Sequence, residues 1–258
     1  MWKFFPNILK IIQLSGFREH GTIVMMKIFV ISDLHLGHAV NKPMDVFGGN
    51  WVGGYWQRVQ DDWKKKVTDD DAVLIGGDIS WGMTLSEALP DLLEIDSLPG
   101  KKFIIRGNHD YWWASMAKMN LLPLKTITFI QNNAHKAGDF IICGTRAWTV
   151  PENPTQHTTE DKKIFDRELI RLEMSLKEAT KLRTDNEKIV CMTHYPPFNS
   201  RFENSPFTDM MEKYGVDAAI YGHLHGSSSR YAAVVTKGEI KFYLTSCDYL
   251  NNELLELY

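Results

Sequence analysis

Lys27–Gly37 reads KIFVISDLHLG. Ile28–Ile31 is a short apolar run with two β-branched isoleucines and a valine, the pattern of a strand buried on both faces. The run stops at Ser32-Asp33, and Asp33 and His35 follow in a loop before Gly37. A carboxylate and an imidazole two residues apart can converge on one cation. Open α/β sheets place their ligands at this carboxyl end of the strands. Asp-x-His alone is a common polar pair, so its meaning depends on whether other strands end in the same way.

Four more do. Ala72–Ile75 runs into Gly76-Gly77-Asp78, where two glycines suit a sharp turn and a close approach of backbone. Lys101–Arg106 ends at Gly107-Asn108-His109-Asp110, and Lys188–Met192 at Thr193-His194-Tyr195-Pro196-Pro197. Asp217–Tyr221 ends at Gly222-His223-Leu224-His225-Gly226. The chain has 9 histidines. Those at positions 35, 109, 194, 223 and 225 fall in these strand ends, which concentrates imidazole where ligands bind. Oxygen and nitrogen donors without thiolate suit Mn, Fe, Co, Ni or Zn better than Mg or Ca.

Helical patterns separate the strands. Tyr55–Val67 places Trp56, Val59 and Trp63 at i, i+3 and i+7. Thr84–Leu98 predicts a helix with Leu85, Leu89, Leu92 and Leu93 inward and Pro90 as a candidate kink. Glu160–Arg183 carries an apolar stripe, Phe165, Leu169, Leu172, Leu176 and Ala179, with Thr159 as N-cap. Strands alternating with helices predict an α/β architecture. Thr126–Ile130 and Phe140–Cys143 predict an antiparallel pair around a turn at Asn132–Gly138, and Tyr231–Val235 with Glu239–Thr245 predict another. Tyr111-Trp112-Trp113 is expected to open a short helix, its rings serving core or pocket wall.

With 258 residues, 44% of them hydrophobic and 24% charged, the chain has the composition of one large domain with a substantial core. No repeat or linker divides it, so residues 26–258 read as a single domain. Net charge of -3 leaves no basic footprint for nucleic acid. Cys143, Cys191 and Cys247 are far apart and lie in or beside apolar stretches, which predicts buried free thiols and a cytoplasmic, reducing environment. Residues 1–25 read as an N-terminal extension. Pro6, Asn7 and Lys10 interrupt its apolar part, against a signal peptide or a membrane span. Met25-Met26 directly precedes the first strand, so the start is expected there and Met1–Val24 is expected to be dispensable.

Taken in order, D-x-H, G-G-D, G-N-H-D, T-H and G-H-x-H resemble the calcineurin-like metallophosphoesterase superfamily. Each motif is weak alone, and the ordered set from Asp33 to His225 is specific. The resemblance implies a four-layer α/β/β/α sandwich of two mixed sheets. It implies two transition-metal ions, divalent or trivalent: Mn, Fe or Zn, with Co or Ni also suited. Asp33, His35 and His225 match the ligands of the first ion, Asp78 the bridging carboxylate, and Asn108, His194 and His223 the ligands of the second. His109 matches the unligated histidine that faces the phosphate and serves as acid, and Asp110 an acidic neighbour that supports it. The implied reaction is hydrolysis of phosphomono- or phosphodiesters by direct attack of a hydroxide bridging the two ions.

Arg146 and Arg201 lie in loops that could reach an anionic substrate. His38 is expected to be exposed or to support the first motif, and His20, His135 and His157 to lie on the surface. Specificity is expected to rest on Ala147–Thr159, Tyr195–Asp209 and the Trp112-Trp113 region. The competing reading is a phosphoesterase fold that has lost catalysis and acts as a scaffold or binding module. Such decay should appear as missing ligands, and none of the motif positions is missing. A metal-dependent amidase or deacetylase would share Asp and His ligands but would not call for G-N-H-D together with G-H-x-H.

Overall fold

The unbroken apolar runs form the centres of two sheets. The computed structural model describes residues 25–153, 155–226 and 232–258. The expected dispensable segment Met1–Val24, with His20, lies outside the described residues, as does Tyr231, where a strand was expected to begin.

The first sheet holds β1 (Ile28–Ile31), β2 (Ala72–Ile75), β3 (Lys101–Ile104), β4 (Ile127–Phe129) and β11 (Leu255–Glu256) in the order β11-β1-β2-β3-β4. β1 to β4 run parallel, and β11 pairs antiparallel with β1. The second sheet holds β5 (Ala134–Ala137), β6 (Phe140–Thr145), β7 (Lys188–Thr193), β8 (Ala218–Tyr221), β9 (Val234–Lys237) and β10 (Ile240–Leu244) in the order β5-β6-β7-β8-β10-β9. Its inner strands β6, β7, β8 and β10 are parallel, with antiparallel β5 and β9 at the edges.

Alternation along each strand makes the layers. Ile28, Val30 and Leu74 point toward Ile142, Val190 and Ile220, so one apolar layer lies between the sheets. Phe29, Ile31 and Val73 point the other way, onto Val59 and Trp63 of α1 (Tyr55–Lys66) and Leu92 and Ile95 of α2 (Leu85–Ser97). Across the molecule, Ile141, Cys143 and Ile189 meet α4 (Thr159–Leu182) and α5 (Pro206–Lys213). The result is helices, sheet, sheet, helices, as expected. All three cysteines are free and buried.

Several local expectations are corrected. Thr126–Ile130 does not pair with Phe140–Cys143; β4 lies parallel beside β3. The Asp96 side chain, on α2, accepts from the Lys125 and Thr126 amides and the Thr126 hydroxyl, which pins the start of β4 to the first sheet. The expected turn at Asn132–Gly138 contains β5, and the actual turn is the two-residue Gly138-Asp139, with Gly138 at a φ of 56°. Thr158, not Thr159, caps α4: its hydroxyl accepts from the Asp161 amide and Asp161 accepts from the Thr158 amide. α2 continues through Pro90, and its buried face is Ala88, Asp91, Leu92 and Ile95, while Leu93 is exposed. Trp112 and Trp113 are core residues against Phe129 in non-helical chain; the short helix α3 starts only at Met116 and ends at Met119. Among the described residues, no helix is long and apolar enough to cross a membrane.

Leu176 is fully buried in the layer under α4, and Met174 on the same helix is exposed. Leu176→Ala should therefore cost ~2–5 kcal/mol in denaturant unfolding, and Met174→Ala no more than ~0.5 kcal/mol. Equal costs for the two would mean that α4 packs by another face.

Candidate metal centre

The site is built where the parallel strands stop. Beyond β1 the chain stays alongside the loop after β2: the Asp33 amide donates to Gly77 O at 2.9 Å and the His35 amide to Asp78 O at 2.9 Å. Along this path Asp33, His35 and Asp78 have φ of 59°, 48° and 52°, and His223 has 69°. Non-glycine residues enter this left-handed region at a cost of order 1–3 kcal/mol when the site is strained. The reversal it produces aims Asp33 and His35 at the same space.

Two glycines make the crowding possible. A Cβ on Gly107 would lie 2.0 Å from Asp78 Oδ1, and one on Gly222 would lie 2.3 Å from Asp33 Oδ2. This is the physical reason for glycine before Asn108-His109 and before His223-x-His225.

Asp110 makes its hydrogen bonds chiefly to backbone, while its charge favours the protonated His109 ring. Its buried carboxylate accepts from the amides of Gly107 (2.7 Å), Asp78 (2.9 Å), Ile79 (2.8 Å) and Ser80 (3.3 Å) and from the Trp112 indole N–H (2.9 Å). It clamps the Asp78 loop to the Asn108 loop rather than bonding to the His109 ring. The His109 amide in turn donates to Asp78 Oδ1 at 2.8 Å.

The candidate ligands converge. Asp33 Oδ2 accepts from Ser246 Oγ at 2.9 Å, the His223 amide donates to Oδ2 at 3.0 Å and to Oδ1 at 3.1 Å, and Oδ1 lies 3.5 Å from His225 Nε2. His35 Nε2 lies 3.4 Å from His225 Nε2 and 3.7 Å from Asp78 Oδ2. His194 Nδ1–H donates to Gly76 O at 3.0 Å, so its Nε2 faces inward, 3.5 Å from Asp78 Oδ2 and 2.7 Å from Asn108 Oδ1. Asn108 Oδ1 is also 2.8 Å from His223 Nδ1. Two groups satisfy the spacing of a metal site, Asp33-His35-His225 and Asp33-Asp78-His194, with ligand atoms within 4.8 Å of one another.

The donors fit cations. Asp78 Oδ2 is buried without a hydrogen-bond partner, between two imidazole nitrogens. Burial, then the charges of Asp110 and Asp33, push the Asp78 carboxyl well above its usual range, a penalty that a cation would relieve. Burial drives His35 down to about 3 and His223 to about 4, and lowers His194. Neutral imidazole is the form that binds metal. Burial also raises Asp33, but His194, His225, His35 and the Ser32 hydroxyl outweigh it and hold the group at about 2.

Asp248 was not singled out from the sequence. His225 Nδ1–H donates to Asp248 Oδ1 at 3.0 Å, and the Gly226 amide donates to Asp248 Oδ2 at 2.8 Å. The bond fixes the tautomer that leaves His225 Nε2 facing Asp33 and, with Asp33, raises the His225 pKa despite burial. The available signal was a sixth strand end: β10 is followed by Thr245-Ser246-Cys247-Asp248.

The other sequence candidates separate. His38 lies outside the centre, against Glu94. His135 sits beside Asn133, and His157 meets Thr149 O at 2.8 Å. The exposed Arg201 guanidinium is taken up by Glu203 and Glu152. The Arg146 carbonyl accepts from the His194 and Tyr195 amides, while its guanidinium packs on Trp148 and approaches Glu168 at 3.7 Å. A cavity of about 540 Å³ opens beside His35, His109 and His225, walled by Phe47, Trp51 and Trp81. Trp81 stacks on His35, with ring centres 4.9 Å apart, and lies 4.7 Å from His109.

Residues 26–227 match the family model described as calcineurin-like phosphoesterase. An uncharacterized metallophosphoesterase of Helicobacter pylori is 22% identical over 202 residues, 78% of this chain and 44% of that protein. The gene 66 protein of Mycobacterium phage D29 is 38% identical over 88 residues, 33% of this chain and 41% of that protein. The chain thus spans less than half the length of these curated relatives. The protein TT1561 of Thermus thermophilus is similar in fold, with a TM-score of 0.53 at 9% identity over 90% of this chain and 98% of that one.

Asp248→Asn should weaken metal binding by about 10–100-fold, measured by competition with a chelator, with little change in unfolding midpoint. Unchanged affinity would mean that Asp248 does not orient a ligand.

Proposed function

This chain belongs to the calcineurin-like phosphoesterase family, and from that premise we propose that it is a dinuclear metal-dependent hydrolase of phosphomono- or phosphodiesters. The observation that carries the reading is the partnerless Asp78 Oδ2, 3.7 Å from His35 Nε2 and 3.5 Å from His194 Nε2. One oxygen between two histidines from different strand ends suits a carboxylate shared by two ions.

In this proposal Asp33, His35 and His225 hold one ion, Asn108, His194 and His223 hold the other, and Asp78 serves both. The nitrogen-and-oxygen donor set favours Mn, Fe or Zn, with Co or Ni suited as well. Bound there, the ions supply Lewis acidity, neutralise phosphoryl charge and lower the pKa of water. The chain's own groups do the rest. Asp110 fixes the Asp78 and Asn108 loops relative to each other, and Asp248 fixes the face that His225 presents. His109, whose ring lies against Trp81 and Tyr111, is the proton donor to the leaving oxygen. Burial and then His194 lower its pKa in the free chain; an anionic phosphate beside the ring favours the protonated form. Phe47, Trp51 and Trp81 wall the space where the ester group lies. Residues 26–258 form the single catalytic domain in this reading.

The presence of every expected donor in one cluster favours catalysis over a scaffold role. Protein stripped by a chelator should regain hydrolysis of nitrophenyl phosphate or bis(nitrophenyl) phosphate on addition of Mn²⁺. Silence with Mn, Fe, Zn, Co and Ni would overturn the proposal in favour of the scaffold. His109→Ala should keep the metal content and slow turnover by about 10²–10⁴-fold; metal loss instead would remove His109 from the acid role.

A further inference from the structure

Among the described residues, six buried side-chain polar atoms lack a hydrogen-bond partner. Asp78 Oδ2 and His35 Nδ1 belong to the metal centre. Arg106 Nε, Arg146 Nε and Asn132 Oδ1 belong to residues that line a second cavity, of about 50 Å³, with Asn132 also bordering a surface groove beside Met174 and Tyr214. That exceeds the ~10–15 Å³ a single water requires on the same measure. Buried polar groups are rarely left unpaired, because each costs about 1–3 kcal/mol, so these three atoms call for partners that the chain itself does not supply.

The lining is cationic. Arg106, Arg146 and Arg171 face a single carboxylate, that of the fully buried Glu168. Glu168 is already engaged by Arg171 Nη1 at 2.7 Å and Thr145 Oγ1 at 2.6 Å, and lies 3.7 Å from Arg146 Nη2 and 3.9 Å from the Arg167 Nε. The Arg106 guanidinium has no carboxylate partner among the described residues. One carboxylate cannot neutralise these guanidiniums, and their planar N–H arrays match the oxygens of an oxyanion.

We propose that this cavity binds hydrogen phosphate. Two orphaned N–H donors call for acceptor oxygens, and the orphaned Asn132 carbonyl oxygen calls for a donor. A protonated phosphate carries both, in its P–O⁻ and P–OH groups; sulfate at neutral pH carries only acceptors. The cavity lies at the carboxyl ends of β3, β4 and β6, on the same rim as the metal centre. Arg106 directly precedes Gly107-Asn108, and the Arg146 carbonyl holds the His194 and Tyr195 amides. An occupant would therefore brace the two loops that carry Asn108 and His194. Such a phosphate comes either free from solution or as a second phosphoryl group of a substrate.

The test is calorimetric titration of the full chain, stripped of metal, with inorganic phosphate. One site per chain is expected, weakened about tenfold or more by Arg106→Gln or Arg171→Gln, with sulfate binding about tenfold more weakly than phosphate. Absence of binding by metal-free protein, binding unchanged in both variants, or equal affinity for sulfate would each overturn the proposal. Metal-loaded Arg171→Gln separates the two sources. A KM raised for a diphosphate ester but not for nitrophenyl phosphate identifies the substrate's second phosphoryl group. Unchanged KM for both, with lost phosphate binding, identifies free phosphate. Because binding is read without metal, this result stands or falls apart from the phosphoesterase reading.

Discussion

Three carboxylates, Asp33, Asp78 and Asp110, are withdrawn from water within one cluster. Burying a charge without compensation is among the costliest things a fold can do. Each of the three meets that cost differently. Asp110 accepts four amides and an indole N–H. Asp33 uses the Ser32 and Ser246 hydroxyls and the His223 amide, with three imidazoles close by. Asp78 is satisfied on one oxygen by the His109 amide and on the other by no donor among the described residues. The first two find their hydrogen bonds within the protein, whereas the third leaves one oxygen open between His35 and His194, and the surrounding loops are arranged around that gap.

Holding such a gap open demands a frame that does not yield. Parallel strands supply it, since β1, β2 and β3 end side by side and β7 and β8 end in the facing sheet. The sheets are tied at this edge: the Ser32 amide donates to Thr245 O at 2.7 Å, and the Cys247 amide to Ser32 O at 2.9 Å. With the strands fixed by apolar burial on both faces, the loops can sustain left-handed backbone at Asp33, His35, Asp78 and His223. Glycines at 107 and 222 then let the backbone of one loop press on the carboxylate of the next.

Much of this was legible in the sequence because it is written in short range. A run such as IFVI is buried on both faces whatever surrounds it, and the polar residue that follows each such run marks the site edge. What escaped depended on contacts far along the chain. β4 joined the first sheet because Asp96 of α2 captures its start, and the two-residue β11 carries too little pattern to be seen alone. Asp248 followed a strand like the other ligands, but its partner is His225, which only the fold brings near. Asp110 was read by its neighbour in sequence, His109, while its bonds reach back to the loop after β2. Arg106 carried no signal, since Arg146, Arg171 and Asn132, which line the same cavity, come from distant parts of the chain.

The account stands on paired cations around Asp78. The most direct measurement is an anomalous difference map from crystals of the Mn²⁺-loaded protein, recorded at the manganese edge. It should show two peaks roughly 3.5–4 Å apart on either side of Asp78, one beside Asp33, His35 and His225 and the other beside Asn108, His194 and His223. A single peak that leaves Asp78 uncoordinated, or peaks only elsewhere on the molecule, would contradict it.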